Sequence, residues 1–446
     1  MKLEQFFDEN LSHASYMIVS EGEAVVIDPS RDIERYIKYA HEHFAVIHAI
    51  IETHPHADFV SGHGELSRKT GAAIYISKLA KADYPHIPFD ENEILKLGTC
   101  ELHACNTPGH SPDSICIILK QDDKEHAVFT GDTLFVGDVG RPDLRENAGN
   151  LKANREELVS SLYHSTRKKL MKLPSDTIVS PTHCAGSLCG RNIGPERYST
   201  IGKELENNYA LQEMNEKDFV RIVLKDLPFQ PRYFAYNVGL NLKGAPDVKE
   251  IADKVPVFRE HALVDKNCLI VDVRQPIHYK QKHFKGSINI PLSLRFETWL
   301  GSVVNPNEPF YLTMESHGQN DNEYASGIIK RVAKIGYDLF LKGVLMTHNP
   351  GQEKSEKLSM KDFSKRRKQF YILDVRNVSE AKHKIFDNSI NIPLPVLREN
   401  LKEIPKNKPL VVHCGGGSRS AIASSILECH FKQKVYDLGE AVEDFK

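Results

Sequence analysis

Histidines and carboxylates follow four apolar segments in the first half of the chain. The first segment, residues 46–51, leads into the motif THPHAD at 53–58. The other three lead to His110, Asp132 and His183, each next to a glycine or a proline. Imidazole nitrogens and carboxylate oxygens are common ligands of iron and zinc. The spacing therefore predicts a metal centre built from several loops.

The elements that must position these groups can be predicted from the same segments. Residues 46–51 are apolar and rich in β-branched side chains, which favours a buried strand. A helix-like segment with a glycine at its start follows at 60–69. The other three groups likewise come after short apolar runs, at 102–104, 127–129 and 177–179. We expect four strand ends to converge on one rim, with the ligands in the loops that follow them.

In order and spacing these clusters resemble the metallo-β-lactamase superfamily, whose pattern is His-x-His-x-Asp-His followed by a distant His, Asp and His. The resemblance covers roughly the first half of the chain and implies an αββα sandwich. Phe59 stands where the last histidine of the first motif is expected. In the superfamily that histidine shares a second metal pocket with the positions of Asp58 and His183. Because a phenyl ring has no lone pair, the sequence predicts a single metal ion.

Within the superfamily, a single-metal pattern resembles the persulfide dioxygenases, which hold iron with two histidines and one carboxylate. The resemblance implies one Fe(II) per chain, bound by His54, His110 and Asp132. Such a facial triad leaves coordination positions open for the sulfur of a small-molecule persulfide and for O2. The activity implied is oxidation of the outer persulfide sulfur to sulfite, in the service of sulfide detoxification.

The remaining polar groups, His56, Asp58 and His183, would then orient the ligands without binding the metal. An alternative keeps them as ligands of a zinc centre. The domain would in that case be a zinc thioester hydrolase of the glyoxalase II type, in which a metal-activated water is the nucleophile. Phe59 argues against the usual two-metal form of that enzyme.

Two loops near the predicted metal centre contain further candidates. Arg141 and Asp143 resemble the family's Gly-Arg-x-Asp element, and the guanidinium could bind a substrate carboxylate or the developing sulfite. The two side chains could equally pair with each other and clamp the loop. Cys184 and Cys189 follow His183 closely. Cys189 is a candidate sulfur acceptor or, alternatively, a small buried apolar residue.

A second kind of chemistry is indicated by an internal repeat in the rest of the chain. The segment CLIVDVR at 268–274, with GSINIPL at 286–292, returns as YILDVR at 371–376 with NSINIPL at 388–394. Both copies resemble the rhodanese family, which implies two rhodanese-like α/β domains after the metal domain. We place the metal domain at 1–245, with a closing segment and linker to about 260. The two repeats then occupy 261–350 and 351–446.

Only the second repeat contains a candidate sulfur-carrying loop, PLVVHCGGGSRS at 409–420. Its sequence predicts a buried strand, a cysteine, a glycine loop and a helix. Backbone N–H groups, the positive helix end and Arg419 should stabilise the thiolate of Cys414, which can accept sulfur as a persulfide. The loop itself consists of Gly415, Gly416, Gly417 and Ser418.

Two alternatives qualify this interpretation. Cysteine phosphatases and arsenate reductases also place a thiolate before a helix, but their loops have five residues between Cys and Arg, whereas Cys414 and Arg419 enclose four. In the first repeat, alignment puts Met314 at the position of Cys414. The middle domain is therefore predicted to be an inactive spacer, with a docking role as the alternative.

The whole chain resembles fusions of a persulfide dioxygenase with rhodanese domains. The resemblance implies that sulfite from the metal site attacks sulfur carried on Cys414 and leaves as thiosulfate. Self-association into a homo-oligomer is implied in the same way. A third hypothesis is a sulfur carrier that oxidises nothing and passes persulfide from Cys414 to a partner protein.

Composition agrees with an enzyme of this kind. A formal net charge of −2 gives no general attraction to nucleic acid or to anionic membranes. No apolar run approaches the roughly 18 residues of a membrane span. The 8 cysteines are irregularly spaced over 446 residues, which does not indicate a disulfide framework. We therefore expect a cytoplasmic protein with reduced thiols and without nucleic-acid or membrane partners.

Overall fold

The apolar segments of the first half form the strands of two large sheets. A computed structural model describes residues 1–146, 149, 153–227, 229–265 and 267–446. The strands are β1 (Lys2–Asp8), β2 (His13–Ser20), β3 (Glu23–Ile27), β4 (Val46–Ile51), β5 (Ala73–Ile76), β6 (Ile87–Pro88), β7 (Ile94–Leu97), β8 (Cys100–Asn106), β9 (Ile115–Gln121), β10 (Lys124–Gly131), β11 (Leu134–Phe135), β12 (Asp138–Val139), β13 (Ile178–Pro181) and β14 (Ser199–Thr200). The helices are α1 (Glu34–Glu42), α2 (His63–Thr70), α3 (Arg155–Lys168), α4 (Ile201–Asn207), α5 (Glu216–Val223), α6 (Tyr233–Lys243) and α7 (Val248–Ala252).

The two sheets pack face to face, with helices on both outer faces. One sheet has the order β1-β2-β3-β4-β5-β6 and the other β14-β13-β10-β9-β8-β7. Side chains from both sheets, such as Ile51 and Phe129, share one buried core. A second core lies between the first sheet and α1 and α2, and a third between the second sheet and α3, α4 and α5. This is the αββα sandwich that the sequence predicted.

The repeats form two parallel sheets. The first repeat contains β15 (Val257–Phe258), β16 (Leu269–Asp272), β17 (Ile288–Asn289), β18 (Phe310–Met314) and β19 (Leu341–Met346), with α8 (Pro276–Gln281), α9 (Phe296–Val303) and α10 (Asp321–Ala333). The second contains β20 (Tyr371–Asp374), β21 (Ser389–Asn391), β22 (Leu410–His413) and β23 (Val435–Asp437), with α11 (Met360–Arg366), α12 (Val378–Ala381) and α13 (Ser418–His430). Their strand orders are β15-β19-β18-β16-β17 and β21-β20-β22-β23.

The chain divides into two compact units. The first is Met1–Glu250 with Ala333–Gly336, and the second is Ile251–Val332 with Tyr337–Lys446. Both repeats belong to the second unit, so the predicted boundary at about 350 stays a prediction. Among the described residues, no helix has the length and apolar character needed to cross a bilayer.

The repeats share a set of hydrogen bonds that holds the strand ends together. In the first repeat Arg274 pairs with Asp272, and the side-chain amide of Asn289 donates to the Asp272 carbonyl at 2.9 Å. In the second repeat Arg376 pairs with Asp374, and Asn391 donates to the Asp374 carbonyl at the same distance. Since both copies keep these contacts, their role is to build the fold.

A carboxyl group on α13 makes the stability of the second unit depend on pH. Burial raises the pKa of Glu428 from 4.5 to about 7, although Ser355 donates a hydrogen bond to it at 3.0 Å. Where a carboxyl group has a higher pKa in the folded than in the unfolded state, the fold loses stability as pH rises from the lower pKa to the higher one. We expect E428Q to remove this loss and to stabilise the fold at pH 8 by roughly 1–2 kcal/mol.

Thermal unfolding of wild type and E428Q between pH 4 and pH 8 measures this effect. The difference in Tm should be small at pH 4 and should widen up to about pH 7. An equal difference at every pH would mean that Glu428 contributes through packing alone.

Candidate functional site

Three candidate metal ligands meet at strand ends in the first unit. His54 follows β4, His110 follows β8 and Asp132 follows β10. All three side chains are buried, and one ligand atom of each lies within 4.8 Å of the others. The Nε2 atoms of His54 and His110 lie 3.8 and 3.5 Å from Asp132 Oδ2. Bonds of about 2.0–2.2 Å to one ion place neighbouring ligand atoms roughly 3 Å apart, so these side chains fit a shared cation with little movement.

The hydrogen bonding of Asp132 provides a direct test of whether a cation fits here. Both of its carboxylate oxygens are buried and have no hydrogen-bond partner within the part of the chain that the structure describes. A buried carboxylate without a partner is costly unless a cation compensates its charge. Burial lowers the pKa of His54 well below its usual value and also lowers the pKa of His110. Two neutral imidazoles therefore offer lone pairs beside one carboxylate, a donor set that suits iron(II) or zinc.

A threonine fixes the orientation of the first ligand. Thr53 Oγ1 lies 2.8 Å from Asp28 Oδ2 and 3.1 Å from His54 Nδ1. Because an ionised carboxylate only accepts, the hydroxyl donates its hydrogen to Asp28 and accepts one from His54 Nδ1. Nε2 of His54 then carries the free lone pair, on the side of Asp132. The sequence analysis missed Asp28, although its position directly after β3 resembles that of the other ligands.

A helix that closes the first unit holds the metal-binding loop. The side-chain amide of Asn241, on α6, donates to the carbonyl oxygens of His56 and Phe59 at 2.8 Å each. Its own oxygen accepts from the backbone N–H of Ser61 at 2.9 Å. Asn241 is 2 % exposed, so these bonds are shielded from water. One side chain thus fixes both ends of the loop that follows the first ligand.

The ring of His56 lies next to two carboxylates outside the triad. Its Nε2 atom lies 3.0 Å from Asp28 Oδ1 and 3.8 Å from Glu52 Oε2. Burial opposes protonation of His56, but the two carboxylates outweigh it and raise its pKa to about 8. Ser61 Oγ donates to Glu52 Oε1 at 2.7 Å. These contacts agree with a role in orienting the site, and Glu52 is a further member that the sequence analysis missed.

The ring of Phe59 packs against two histidine rings at a tilted angle. Its ring centroid lies 3.8 Å from that of His13 and 4.4 Å from that of His56. Nearby, however, Asp58, His183 and Cys189 form a second buried group whose ligand atoms lie within 4.8 Å of one another. The loss of a histidine at position 59 therefore does not by itself remove every ligand of a second pocket, because a thiol is available there.

Burial and nearby carboxylates favour the protonated thiol of Cys189. Burial, with the charges of Asp58 and Asp132, raises the pKa of this thiol well above its usual value. A metal ion that binds a thiol displaces its proton, so the raised pKa is no argument against a cation here. His183 Nε2 lies 3.2 Å from Asp58 Oδ2 and pairs with that carboxylate. The prediction of one metal ion stays a prediction, and it now depends on Cys189 as well as on Phe59.

The structure brings Arg141 and Asp143 together, as the loop-clamp alternative requires. Arg141 donates from Nε and Nη2 to the two carboxylate oxygens of Asp143, both at 2.7 Å. It also donates to the carbonyl oxygens of Leu188 and Phe229, and its side chain is 2 % exposed. A substrate would have to displace these bonds to reach the guanidinium. The substrate-binding role of the pair is thus unsupported by its geometry and stays a prediction.

The sulfur loop of the second repeat has the predicted local structure. Cys414 follows β22 and is 1 % exposed, and α13 begins at Ser418. The backbone N–H of Gly417 donates to Cys414 Sγ at 3.1 Å. Gly417 has a φ of 91°, in the left-handed region that favours glycine. A donor directed at the sulfur stabilises negative charge there.

The first repeat lacks a thiol at the equivalent position. On the shared central strands, Thr313 pairs with Asp272 and His413 pairs with Asp374. Met314 therefore occupies the position of Cys414, as the alignment predicted. A thioether cannot become a thiolate, so this copy has no nucleophile at its strand end.

Comparison with known proteins identifies the families that both parts of the chain match. Residues 9–183 match the family described as metallo-beta-lactamase superfamily, and residues 260–343 and 356–446 match the rhodanese-like domain. A metallo-beta-lactamase from Staphylococcus aureus subsp. aureus COL, solved at 2.1 Å, is 31% identical with a TM-score of 0.67, covering 78% of this chain and 98% of that one.

Two relatives with named activities match part of the chain. Mitochondrial persulfide dioxygenase ETHE1 of Bos taurus is 27% identical over 249 residues, which is 54% of this chain and 87% of that protein. Hydroxyacylglutathione hydrolase GloC of Haemophilus influenzae is 29% identical over 209 residues, 42% of this chain and 87% of that protein.

The chain belongs to the metallo-β-lactamase superfamily. It joins that domain to rhodanese-like domains, and this is the composition of a fusion between an ETHE1-type domain and rhodanese domains. The fold class and the family resemblance predicted from the sequence are confirmed. The particular reactions are a separate question, since relatives with oxidative and with hydrolytic names both match.

Proposed function

We propose that the first unit is a persulfide dioxygenase that binds one Fe(II) through His54, His110 and Asp132. The observation that supports this most is the buried triad itself, in which both oxygens of Asp132 have no hydrogen-bond partner among the described residues. The resemblance to persulfide dioxygenase ETHE1 supports the same reaction. In this proposal the enzyme works in the cytoplasm and its partners are small molecules.

The reaction converts a thiol persulfide, O2 and water into the free thiol and sulfite with release of two protons. Bound Fe(II) would supply open positions at which the persulfide sulfur and O2 meet. The residues around it hold that geometry. Thr53 fixes the tautomer of His54, and the Asp58–His183 pair lies on the opposite side of Asp132, with His183 Nε2 3.6 Å from Asp132 Oδ1.

In the same proposal the second repeat converts sulfite into thiosulfate. The Cys414 thiolate attacks the outer sulfur of a persulfide, the S–S bond breaks, and the departing thiolate takes the proton of the persulfide. Sulfite then bonds to the sulfur carried on Cys414, and the Cys414 thiolate leaves. No oxidant is needed in these steps. Joining both activities in one chain raises the effective concentration of sulfite at Cys414.

A second candidate function is thioester hydrolysis by a zinc enzyme, favoured by the match to the hydroxyacylglutathione hydrolase GloC. Metal analysis of anaerobically purified protein, together with oxygen uptake on glutathione persulfide and cleavage of a glutathione thioester, separates the two. We expect iron, oxygen uptake with the persulfide and no thioester cleavage. Zinc with thioester cleavage and no oxygen uptake would establish the hydrolase instead.

The number of metal ions provides a separate prediction. We expect about one iron per chain in the wild type and the same ratio in C189S, because Phe59 supplies no ligand to the second pocket. The variant C184S serves as the control, since Cys184 follows His183 directly but does not belong to the Asp58 group. A ratio near two that falls to one only in C189S would show that the second pocket binds metal.

A further inference from the structure

The sulfur loop of the second repeat is followed by an arginine whose positive charge is paired with a carboxylate. Arg419 donates from Nη1 and Nη2 to the two carboxylate oxygens of Glu380, at 2.6 and 2.7 Å. Its guanidinium also lies against the loop, because a Cβ built on Gly415 would be 3.5 Å from Arg419 Nη2. The side chains of Arg419 and Glu380 are 18 and 38 % exposed. A bidentate pair this close to the thiol alters the charge that an incoming sulfur compound meets.

The internal repeat shows that this pair is not required by the fold. Glu380 lies on α12, three residues after its N-cap Asn377, and the equivalent position on α8 of the first repeat is His278. Residues 315–320 (ESHGQN), which follow Met314, include neither arginine nor lysine. The copy with Met314 in place of the loop cysteine therefore lacks both members of the pair, whereas both copies keep the Asp–Arg and Asn contacts at their strand ends.

The pair has an electrostatic consequence for the choice of sulfur donor. Hydrogen bonds from Arg419 lower the pKa of Glu380, so the carboxylate is ionised at neutral pH. Its negative charge offsets the positive charge of Arg419 near Cys414. Thiosulfate arrives as a dianion, and a loop without net positive charge attracts it weakly. A persulfide presents less charge at its reacting end and depends less on the field of the loop.

We propose that Glu380 is a specificity-determining residue that makes the sulfur loop discriminate against dianionic donors such as thiosulfate and in favour of thiol persulfides. This inference deepens the proposed sulfur transfer and rests on that part of the proposed function. Weak attraction for thiosulfate also favours its release from the loop once it is formed. Glu380 has this effect without touching the reacting sulfur, through its pairing with Arg419.

The variant E380Q tests the proposal in the full-length protein. Glutamine keeps the acceptor for the N–H of Asn377, to which Glu380 is bonded at 3.1 Å, so the helix cap is preserved. With cyanide as sulfur acceptor, we expect the KM for thiosulfate to fall about five- to tenfold while the KM for cysteine persulfide changes less than twofold. In the C414S background, E380Q should tighten the binding of thiosulfate, measured by calorimetry, by a similar factor.

The matched control is E356Q, which removes the same charge from the same repeat. Glu356 pairs with Lys434 at 3.2 Å, and Lys434 precedes β23, at the strand-start edge of the sheet and opposite the edge that carries Cys414. We expect no change in either KM. E380D, which keeps the charge, should retain the preference of the wild type.

Two outcomes would overturn the proposal. They are an unchanged ratio of the two KM values in E380Q, and a shift of that ratio in E356Q equal to the shift in E380Q. If the wild type transfers sulfur from neither donor, the proposed sulfurtransferase function fails and this inference fails with it. If the wild type transfers sulfur but consumes no oxygen, only the dioxygenase proposal fails. The ratio of the two KM values in E380Q then still decides the role of Glu380.

Discussion

Replacement of Cys414 by serine is expected to abolish thiosulfate formation, by about 100-fold or more, and to leave sulfite as the final product. A hydroxyl is far less nucleophilic and cannot hold sulfur as a persulfide at neutral pH. Oxygen uptake should continue at nearly the rate of the wild type, because the triad lies in the other compact unit of the chain. Product analysis by thiol-selective labelling and chromatography, alongside an oxygen electrode, measures all three quantities.

The control for this experiment is C429S. Cys429 lies near the end of α13, away from the sulfur loop at its start, and its thiol donates hydrogen bonds to backbone carbonyl oxygens. Thiosulfate formation should therefore be unaffected. Full thiosulfate yield in C414S would contradict the coupled scheme. Loss of oxygen uptake in C414S would mean that the two reactions are not independent.

Replacement of His110 by alanine is expected to reduce oxygen uptake and to leave sulfur transfer nearly unchanged, which is the reverse of the effect expected for C414S. Removing one of three ligands should release most of the iron and reduce oxygen uptake by about 100-fold or more. Sulfur transfer from cysteine persulfide to cyanide should remain within about twofold of the wild type, because Cys414 and its loop are untouched. Iron content, oxygen uptake and thiocyanate formation are measured on the same preparation.

The matched control is H103A, the same substitution at a half-buried histidine on β8 that pairs with Glu101 at 2.9 Å. It should keep both iron and activity. If H110A retains iron and oxygen uptake, the triad is not the metal site. In that case the group of Asp58, His183 and Cys189 becomes the next candidate.

The sequence was sufficient to predict most of the first site and the sulfur loop. Ligands that follow apolar strands recur in a fixed order, and this order made His54, His110 and Asp132 identifiable although β4 belongs to one sheet and β8 and β10 to the other. The internal repeat likewise identified Cys414, and it showed that Met314 takes the place of this cysteine in the first copy. These features are local in sequence, with each ligand or nucleophile marked by the strand and turn beside it.

The contacts that were missed are those between distant segments. Asp28 joins Glu52 and His56 only because β3 and β4 are neighbours in the sheet. Glu380 reaches Arg419 across 39 residues, and its sequence context is that of an ordinary helix start. The closeness of Cys189 to Asp58 depends on a loop whose path no periodicity predicts. For such pairs, one sequence does not reveal which polar residue meets which partner.

Asn241 bears on how the metal centre can be studied in isolation. The stretch that matches the superfamily ends at residue 183, yet the amide that fastens the loop after His54 belongs to a helix that ends at Lys243. A fragment cut at the boundary of the family match would keep the triad of His54, His110 and Asp132 and lose the brace on the loop that follows His54. Spectroscopists who want an autonomous metal-binding domain should therefore retain the chain through Lys243.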